Sequence, residues 1–499
     1  MPLGYRRLPD PVCPVGLVGP QALSEHVTRI NFVNDTTPRT TSQTSHDAAQ
    51  QSPSGVTPGI LPGTNCVPSS ALLTDMYELT MLQAALLDGT AHRQCAFEVF
   101  TRRLPNERRY GVLAGTARVL EAVKHFRFTD DQVDHMSFLN DETKDFLRKY
   151  RFSGQIDGYR EGELYFPQSP LMTVRGTFAE CVILETVILS ILNADSAVAS
   201  AAARMVTAAE GRPLIEMGSR RTHEYAAVSA ARAAYLAGFT ATSNMEASKR
   251  YGVPSSGTAA HAWTLLHTNP DGTPNEEAAF RAQIEALGSS TTLLVDTYDI
   301  TKGVETAVKV AGPELGAVRI DSGDLGVLTR QVRKQLDELG AKNTKIVVSS
   351  DMDEFSIAAL RSEPVDAFGV GTSVVTGSGA PTAGLVYKLV EVDGVPVAKR
   401  SRGKASVGGA KAAVRVTRPT GTAVEEISYP IDTPAPDTGD LPTVQLTIPL
   451  MRDGHTVEGL DTLEQSREHL AKQLVTLPWE GLALTRDEPA LSVRHITGH

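Results

Sequence analysis

Long apolar segments are missing from this sequence of 499 residues. No stretch approaches the roughly 20 consecutive apolar residues that a membrane-spanning helix needs. The first residues carry Arg6 and Arg7 but then several prolines, so the continuous apolar run of a secretory signal is absent as well. These absences predict a cytoplasmic protein that has no membrane partner.

Cysteine is scarce, and its spacing excludes two classes of small stabilised domain. No two cysteines form a Cys-x-x-Cys pair, which argues against both a disulfide framework and a structural zinc site. A reducing compartment fits this usage best. The four cysteines are Cys13, Cys66, Cys95 and Cys181.

Positive charge is also in slight deficit, because 48 Lys and Arg face 58 Asp and Glu and leave a formal net charge of −10. A negative balance disfavours unspecific attraction to nucleic acid, so we predict no nucleic-acid partner. The length, at roughly 150 residues per domain, is enough for two or three packed units.

Proline is concentrated at the N-terminus, where 10 of the 29 prolines lie at or before Pro68. Residues 35–58 are rich in Thr, Ser and Gln and offer little apolar surface to offset the entropy of ordering the chain. We predict that residues 1–68 form a disordered extension. We divide the remainder into an N-terminal α/β domain (69–178), a barrel domain (179–390) and a C-terminal segment (391–499) that packs on the N-terminal domain.

Short apolar runs between residues 213 and 372 repeatedly end in polar residues, and a helix-compatible segment usually follows. This pattern predicts a parallel α/β barrel, in which the βα loops converge on one mouth and carry the functional groups. We therefore place the candidate site at the ends of these strands. The seven predicted strand runs are residues 214–218, 239–243, 257–261, 293–296, 317–321, 346–351 and 367–372.

The polar residues at these strand ends combine one imidazole with carboxylates, cations and a hydroxyl. Guanidinium groups hold phosphate or carboxylate, and carboxylates hold Mg²⁺ or ribose hydroxyls, so the set suits a phosphorylated substrate with a metal ion. The residues are Arg220, Ser243, His261, Asp296, Arg319, Asp321 and Asp351.

His261 and Asp296 end neighbouring predicted strands and suggest a pair. A carboxylate placed there can orient one imidazole nitrogen and leave the other as nucleophile or base. The alternative is a histidine with a structural role, and the pattern alone leaves both interpretations open.

Two glycine-rich turns, at residues 369–373 and 377–379, offer backbone amides that could approach a phosphate. Neither turn is a dinucleotide fingerprint, because the third glycine is missing. The sequence also lacks a Walker A loop, an H-E-x-x-H zinc helix and a G-x-S-x-G elbow. Any ATP must therefore bind differently from the way it binds in the common NTPases.

Six motifs, in order, resemble those of nicotinate phosphoribosyltransferase, a type II phosphoribosyltransferase of NAD salvage. The resemblance covers roughly residues 70–415, and it implies an irregular TIM-like α/β barrel plus an α/β domain built from both ends of the chain. The motifs are Leu73-Thr74-Asp75-Met76-Tyr77-Glu78, Phe97-Glu98-Val99-Phe100 with Arg102-Arg103-Leu104-Pro105, Glu216-Met217-Gly218-Ser219-Arg220-Arg221, Gly257-Thr258-Ala259-Ala260-His261, Asp296-Thr297-Tyr298-Asp299 and Arg319-Ile320-Asp321-Ser322-Gly323-Asp324.

The resemblance implies an ATP-dependent, ligase-type enzyme. Its reaction joins nicotinate to the phosphoribosyl group of phosphoribosyl pyrophosphate and gives nicotinate mononucleotide and pyrophosphate. His261 matches the histidine that ATP phosphorylates in this family, and Asp296 matches the carboxylate that holds the imidazole. ATP and Mg²⁺ are the cofactors that the resemblance implies.

The remaining matches concern substrate binding. Asp321 and Asp351 match residues that contact ribose hydroxyls or metal, and Arg319 matches a cation beside the substrate. Gly371 and Thr372 match the cradle of the 5′-phosphate. Tyr77 and Arg102 match residues that a second subunit supplies, so a homodimer with composite active sites is implied.

The relative that uses nicotinamide is the main alternative. It has an aspartate where this chain has Ser243, and that carboxylate would repel nicotinate. A hydroxyl at 243 and the positive charge of Arg220 favour the acid. Met217 stands where relatives often place a Phe that stacks on the pyridine ring, and its sulfur contacts an aromatic face with less defined geometry.

Three further alternatives fit the residues less well. A type I phosphoribosyltransferase would carry a second acid beside Asp296. A barrel sugar-phosphate lyase would carry a Schiff-base lysine at a strand end. A catalytically idle ligand-binding protein would not be expected to keep His261 and Asp296 at matching strand ends.

The basic stretch from Lys399 to Arg415 is the last candidate region. A solvated face is its usual interpretation, but its side chains could instead reach the phosphates of ATP. The cations concerned are Lys399, Arg402, Lys404 and Lys411.

Overall fold

The computed structural model describes residues 69–399, 401 and 406–496, and regular structure begins within its first residues. The predicted extension, residues 1–68, lies outside this range. The helices are α1 (Met76–Asp88), α2 (Thr116–Lys124), α3 (Asp130–His135), α4 (Asp141–Lys149), α5 (Phe178–Val182), α6 (Glu185–Ala209), α7 (Glu224–Leu236), α8 (Met245–Tyr251), α9 (His261–Leu266), α10 (Glu276–Leu287), α11 (Ile300–Ala311), α12 (Leu325–Glu338), α13 (Glu354–Ala359), α14 (Thr372–Val375) and α15 (Leu463–Leu474). Short 3-10 turns cover Ala71–Leu73, Thr90–His92, Pro105–Glu107 and Trp479–Leu482.

The strands fall into a parallel group in the middle of the chain and mainly antiparallel groups on either side of it, with one parallel pair between β15 and β19. They are β1 (Gln94–Thr101), β2 (Gly111–Val112), β3 (Gln155–Tyr159), β4 (Leu164–Tyr165), β5 (Met172–Thr177), β6 (Leu214–Glu216), β7 (Ala241–Thr242), β8 (Thr292–Leu294), β9 (Ala317–Ile320), β10 (Lys345–Ser350), β11 (Ala367–Val370), β12 (Leu385–Val392), β13 (Val395–Pro396), β14 (Lys411–Thr417), β15 (Ala423–Pro430), β16 (Thr443–Gln445), β17 (Thr447–Arg452), β18 (His455–Thr456) and β19 (Val493–His495).

The middle of the chain forms a six-stranded parallel sheet in the order β7-β6-β11-β10-β9-β8. Strand and helix alternate along this region, as the sequence predicts, and the sheet curls into an open half-barrel. Its apolar strand residues join the flanking helices in one large core, which includes Val318, Ile320, Val348 and Phe368.

One of the seven predicted strands is wrong. Residues 257–260 are irregular, and His261 begins helix α9 instead of ending a strand. The nearest strand-like contact is a single bridge between Thr242 and Ser255. Gly-Thr-Ala-Ala supplies few of the β-branched and aromatic side chains that pack well in a sheet, so the half-barrel stays open there.

Strands from both ends of the described chain build the second large sheet. It has seven strands in the order β13-β12-β1-β5-β3-β17-β18. Strand β1 pairs antiparallel with β5 on one side and with β12 on the other. The predicted α/β unit made from N-terminal and C-terminal segments is therefore confirmed, whereas the exact domain boundaries stay predictions.

Helix α6 packs against helices α2, α7, α13 and α14 and against strands β2 and β12. Together with α5 it is long and apolar enough to cross a membrane, but 67% of its most apolar window is buried inside the protein. Its alanine-rich turns allow close approach of α7 and α13. The composition therefore reflects a core helix surrounded by protein.

Buried ion pairs join the antiparallel part to the parallel part. Arg232 on α7 donates to both carboxylate oxygens of Glu161, at 2.6 and 2.8 Å. Glu161 also accepts from the backbone N–H of Gly115 at 2.6 Å. Burial alone would raise the pKa of Glu161, but the guanidinium and the N–H donors outweigh burial and hold that pKa below its ordinary value.

Loss of one partner of this pair should strongly destabilise the fold. Arg232→Ala leaves a buried carboxylate without its cation, and we expect a loss of about 3 to 5 kcal/mol in the free energy of unfolding. Arg281→Ala, which breaks the exposed Arg281–Glu277 pair, is the matched control and should change the unfolding midpoint little. Chemical denaturation near neutral pH measures both.

The loss of stability caused by Arg232→Ala should also depend on pH. Because the folded pKa of Glu161 is lowered, its stabilising effect is complete above the ordinary glutamate pKa and is lost as pH falls through the folded value. The difference between wild type and Arg232→Ala should therefore shrink as the pH is lowered from the ordinary glutamate pKa of about 4.5 through the folded value. A difference that stays constant would contradict the assignment.

Candidate active site

The carboxyl ends of the parallel strands bring the predicted imidazole and carboxylates together. His261 Nε2 lies 4.0 Å from Asp296 Oδ1 and 4.0 Å from Asp321 Oδ2. Its other ring nitrogen, Nδ1, lies 3.1 Å from the hydroxyl oxygen of Thr297. The imidazole is 39% exposed, so it combines access for a substrate with a carboxylate environment.

Asp296 is fixed on one side and open on the other. Its side chain is only 1% exposed, and Oδ2 accepts from the Asp321 backbone N–H and the Ser322 hydroxyl, both at 2.8 Å. Among the described residues, Oδ1 has no hydrogen-bond donor. A buried carboxylate oxygen without a donor is costly, and the atom that faces it is His261 Nε2.

Arg319 shapes the loop in front of His261. The side chain is 9% exposed, and Nη1 donates to the Thr258 hydroxyl and, at 3.4 Å, to the Ala259 carbonyl. Its Nη2 lies 3.6 Å from Asp321 Oδ1. The predicted cation beside the substrate therefore also holds the irregular segment that replaces the predicted strand at residues 257–261.

Ser349, near the end of β10, is a site residue that our sequence reasoning missed. Its buried hydroxyl donates to Asp321 Oδ1 and so fixes the carboxylate that Arg319 also approaches. A serine inside an apolar strand run was the available signal, because a buried hydroxyl needs a partner.

Met217 and the glycine-rich turn lie side by side at the ends of β6 and β11. The Met217 N–H donates to the Val370 carbonyl at 2.8 Å. A Cβ on Gly369 would lie 2.8 Å from the Met217 sulfur, and a Cβ on Gly218 would lie 2.9 Å from the Gly371 carbonyl oxygen. These contacts place Gly371 next to Met217, and the exposed Thr372 follows as the first residue of α14.

Glu216 is a second residue that our reasoning from the motif overlooked. It is buried, and burial raises its pKa. Its carboxylate accepts from the Gly218 N–H and, at 2.5 Å, from the Thr242 hydroxyl, while its carbonyl accepts from the Ser243 N–H at 2.8 Å. It therefore joins the loops that carry the exposed side chains of Arg220 and Ser243.

Asp351, Tyr77 and Arg102 are the remaining predicted site residues. Asp351 is exposed just after β10. Tyr77 is on α1, where burial and the charge of Glu185 raise its pKa to about 12. Arg102 follows β1, and its guanidinium carbon lies 5.5 Å from the centre of the Phe100 ring.

The prediction that Lys411 reaches a phosphate is wrong. Lys411 is 4% exposed, and its ammonium group lies 3.1 Å from Glu98 Oε1 and donates to the carbonyls of Val407 and Gly409. Burial raises the pKa of Glu98 to about 7 against the lowering effect of Lys411. Arg402 and Lys404 lie outside the described residues.

Family models match both halves of this architecture. The N-terminal domain of nicotinate phosphoribosyltransferase matches residues 72–193, and the nicotinate phosphoribosyltransferase family matches residues 213–420. The chain belongs to the nicotinate phosphoribosyltransferase family. It is therefore an enzyme with a role in NAD biosynthesis, as the sequence motifs predict.

Individual members of the nicotinate phosphoribosyltransferase family cover most of the chain. Nicotinate phosphoribosyltransferase pncB1 of Mycobacterium tuberculosis is 62% identical over 430 residues, which are 86% of this chain and 95% of the relative. Nicotinate phosphoribosyltransferase pncB2 of the same species is 37% identical over 425 residues, or 82% and 88%. The crystal structure of human nicotinic acid phosphoribosyltransferase has a TM-score of 0.73 at 27% identity and covers 85% of this chain and 97% of its own.

The bond from Ser349 to Asp321 gives a testable prediction for the nicotinate phosphoribosyltransferase assay. Ser349→Ala removes a donor to a carboxylate, which should lower kcat/KM about tenfold because the carboxylate is no longer held in place. Ser153→Ala is a matched control, since its hydroxyl donates to Glu180 at 2.6 Å outside the parallel sheet. Equal kcat/KM values for the two variants would contradict a role of Ser349 in the site.

Proposed function

We propose that this enzyme transfers the phosphoribosyl group of phosphoribosyl pyrophosphate to nicotinate, and that ATP phosphorylates His261 in each cycle. The observation that carries the proposal is the position of His261, which is accessible and faces the unpaired oxygen of a buried aspartate. The family assignment supports the two substrates. The ATP step rests on the chemistry of the His261 environment and on the motif that surrounds it.

The transfer itself requires one bond to form and one to break. The pyridine nitrogen of nicotinate bonds to C1 of the ribose while the bond from C1 to pyrophosphate breaks, and pyrophosphate leaves with the electron pair. Asp321 and Asp351 would hold ribose hydroxyls, and Gly371 and Thr372 would hold the 5′-phosphate. Arg319 would place a positive charge beside these anionic groups.

The ATP step uses the two nitrogens of His261 differently. Nε2 faces Asp296 Oδ1 at 4.0 Å, so a small rotation of the ring would pair its proton with that carboxylate. Nδ1 is then the nucleophile, and it takes the γ-phosphoryl group of ATP while ADP leaves. Water later hydrolyses the phosphohistidine and releases inorganic phosphate.

A magnesium ion fits the carboxylates at this mouth. Within residues 69–399, 401 and 406–496, no three His, Cys, Asp or Glu side chains form a closed metal site. Mg²⁺ needs no such cage, since one or two carboxylates plus substrate phosphates usually hold it. Asp321 and Asp351 would be the protein ligands, and the ion would neutralise charge on the pyrophosphate group.

Nicotinate fits the site better than nicotinamide does. Arg220 and Ser243 are exposed on adjoining loops, where a guanidinium and a hydroxyl can face a carboxylate. Met217 would contact the pyridine ring. The matches of Tyr77 and Arg102 further support a homodimer, in which each subunit would supply these two side chains to the site of its partner.

Removal of His261 should abolish phosphorylation of the protein. With γ-labelled ATP, we expect acid-labile label on wild type and none on His261→Ala, together with loss of the stimulation of nicotinate transfer by ATP. His92→Ala, at an exposed histidine outside the site, should behave like wild type. Full ATP stimulation in His261→Ala would refute the phosphohistidine step while leaving the transfer reaction intact.

A carboxylate at position 243 should shift the preference of the enzyme from nicotinate toward nicotinamide. In Ser243→Asp the new charge repels nicotinate and accepts from the amide NH₂ of nicotinamide, so the ratio of kcat/KM for nicotinamide over nicotinate should rise at least about tenfold. Ser137→Asp, at an exposed serine between α3 and α4, controls for the added charge. An unchanged ratio would remove Ser243 from the specificity site.

A further inference from the structure

The turn at residues 377–379, just after α14, consists of three left-handed residues. Gly377, Ser378 and Gly379 have positive φ angles of +62°, +50° and +77°. Glycine adopts this conformation without steric cost, and a Cβ on Gly377 would lie 2.3 Å from the Ala380 carbonyl oxygen. A serine lacks this freedom, so the backbone of Ser378 needs a compensating contact.

The Ser378 side chain makes that contact. Its hydroxyl donates to Glu354 Oε2 at 2.6 Å, and Glu354 is only 2% exposed. The backbone N–H of Ser378 donates to the Ser373 carbonyl of α14 at 2.7 Å. The N–H of Gly377 donates to the Val374 carbonyl of the same helix at 3.2 Å. Ser378 therefore ties α14 to a buried carboxylate.

The carboxylate of Glu354 is itself held in place. Arg204 Nε donates to Glu354 Oε1 at 3.0 Å, and Nη2 of the same guanidinium donates to the Leu484 carbonyl at 2.9 Å. Arg108 donates to the Gly377 carbonyl at 2.6 Å, and both arginines are buried. Because both oxygens of Glu354 have donors and its cation is buried beside it, the carboxylate is a rigid anchor.

Glu354 also lies close in the chain to one end of the proposed site. It is the first residue of α13, three residues after Asp351. At the other end, α14 begins at Thr372, directly after Gly371. The hydroxyl bond of Ser378 therefore joins the two chain segments to which the proposed function gives the ribose hydroxyls and the 5′-phosphate.

We propose that Ser378 is a positioning residue for phosphoribosyl pyrophosphate. Through Glu354 it fixes the phosphate-binding turn relative to the ribose-binding carboxylate, so that both ends of one substrate molecule are held at once. Its hydroxyl is used by Glu354, so it acts through α14 instead of touching the substrate. This inference rests on the proposed function, which places the 5′-phosphate at Gly371 and Thr372.

Three substitutions of Ser378 separate its hydroxyl from its backbone. Ser378→Gly and Ser378→Ala both remove the hydroxyl, but glycine tolerates the positive φ, so the glycine variant should melt at a higher temperature. We expect both to raise the KM for phosphoribosyl pyrophosphate about fivefold, with kcat and the KM for nicotinate within about twofold of wild type. Ser378→Thr keeps the hydroxyl, so it should keep the KM of wild type although its branched side chain lowers the melting temperature.

A purely structural role of Ser378 predicts a different order of the variants. The KM would then follow the melting temperature, so Ser378→Gly would resemble wild type and Ser378→Thr would change most. That order, or an unchanged KM for phosphoribosyl pyrophosphate in both the glycine and the alanine variant, would overturn the proposal. Steady-state kinetics and thermal unfolding of the full chain measure the two quantities.

Glu210 is the matched control for backbone conformation. It also has a φ of +50°, at the end of α6, and it belongs to none of the loops of the candidate active site. Glu210→Gly should melt at a higher temperature than Glu210→Ala, and neither variant should change the KM for phosphoribosyl pyrophosphate.

Thr372→Val tests the phosphate site independently of Ser378. It removes a hydroxyl that the proposed function gives to the 5′-phosphate, so it should raise the same KM. A raised KM in Thr372→Val together with unchanged values in Ser378→Gly and Ser378→Ala would overturn the positioning role alone. Unchanged values in all three variants would overturn the 5′-phosphate assignment as well.

Discussion

The Asp296 carboxylate is the contact on which the organisation of the site depends. One oxygen accepts from the backbone and side chain that follow β9, and this joins the ends of two neighbouring strands. The other oxygen is buried, has no donor among the described residues and faces His261. A carboxylate held so firmly can orient an imidazole without moving itself, which is the condition for a histidine to act as a defined nucleophile.

Other side chains also meet at the ends of the parallel strands. Ser349 and Arg319 both approach Asp321, and Arg319 also holds the loop before His261. At the ends of β6 and β11, Gly369 leaves space for the Met217 sulfur.

A buried ion pair joins the parallel part of the fold to the antiparallel part, and it involves none of the residues of the candidate active site. Arg232 joins α7 to the loop after β3 through Glu161. Within the antiparallel part, Arg415 on β14 contacts both Glu163 and Glu426. These charges are costly to bury unless fully paired, so they favour one arrangement of the parts over others.

The sequence by itself determined the family, the parallel α/β rhythm and the cluster of His261, Asp296, Arg319 and Asp321, because strand periodicity and ordered motifs are local properties. It did not determine that residues 257–260 stay irregular, since an apolar run of small residues fits a strand or a loop equally well. Nor did it reveal that Lys411 pairs with Glu98 inside the protein, or that Ser349 and Glu216 fix the site loops. Those outcomes depend on which side chains meet after distant segments pack, and only the tertiary structure decides that.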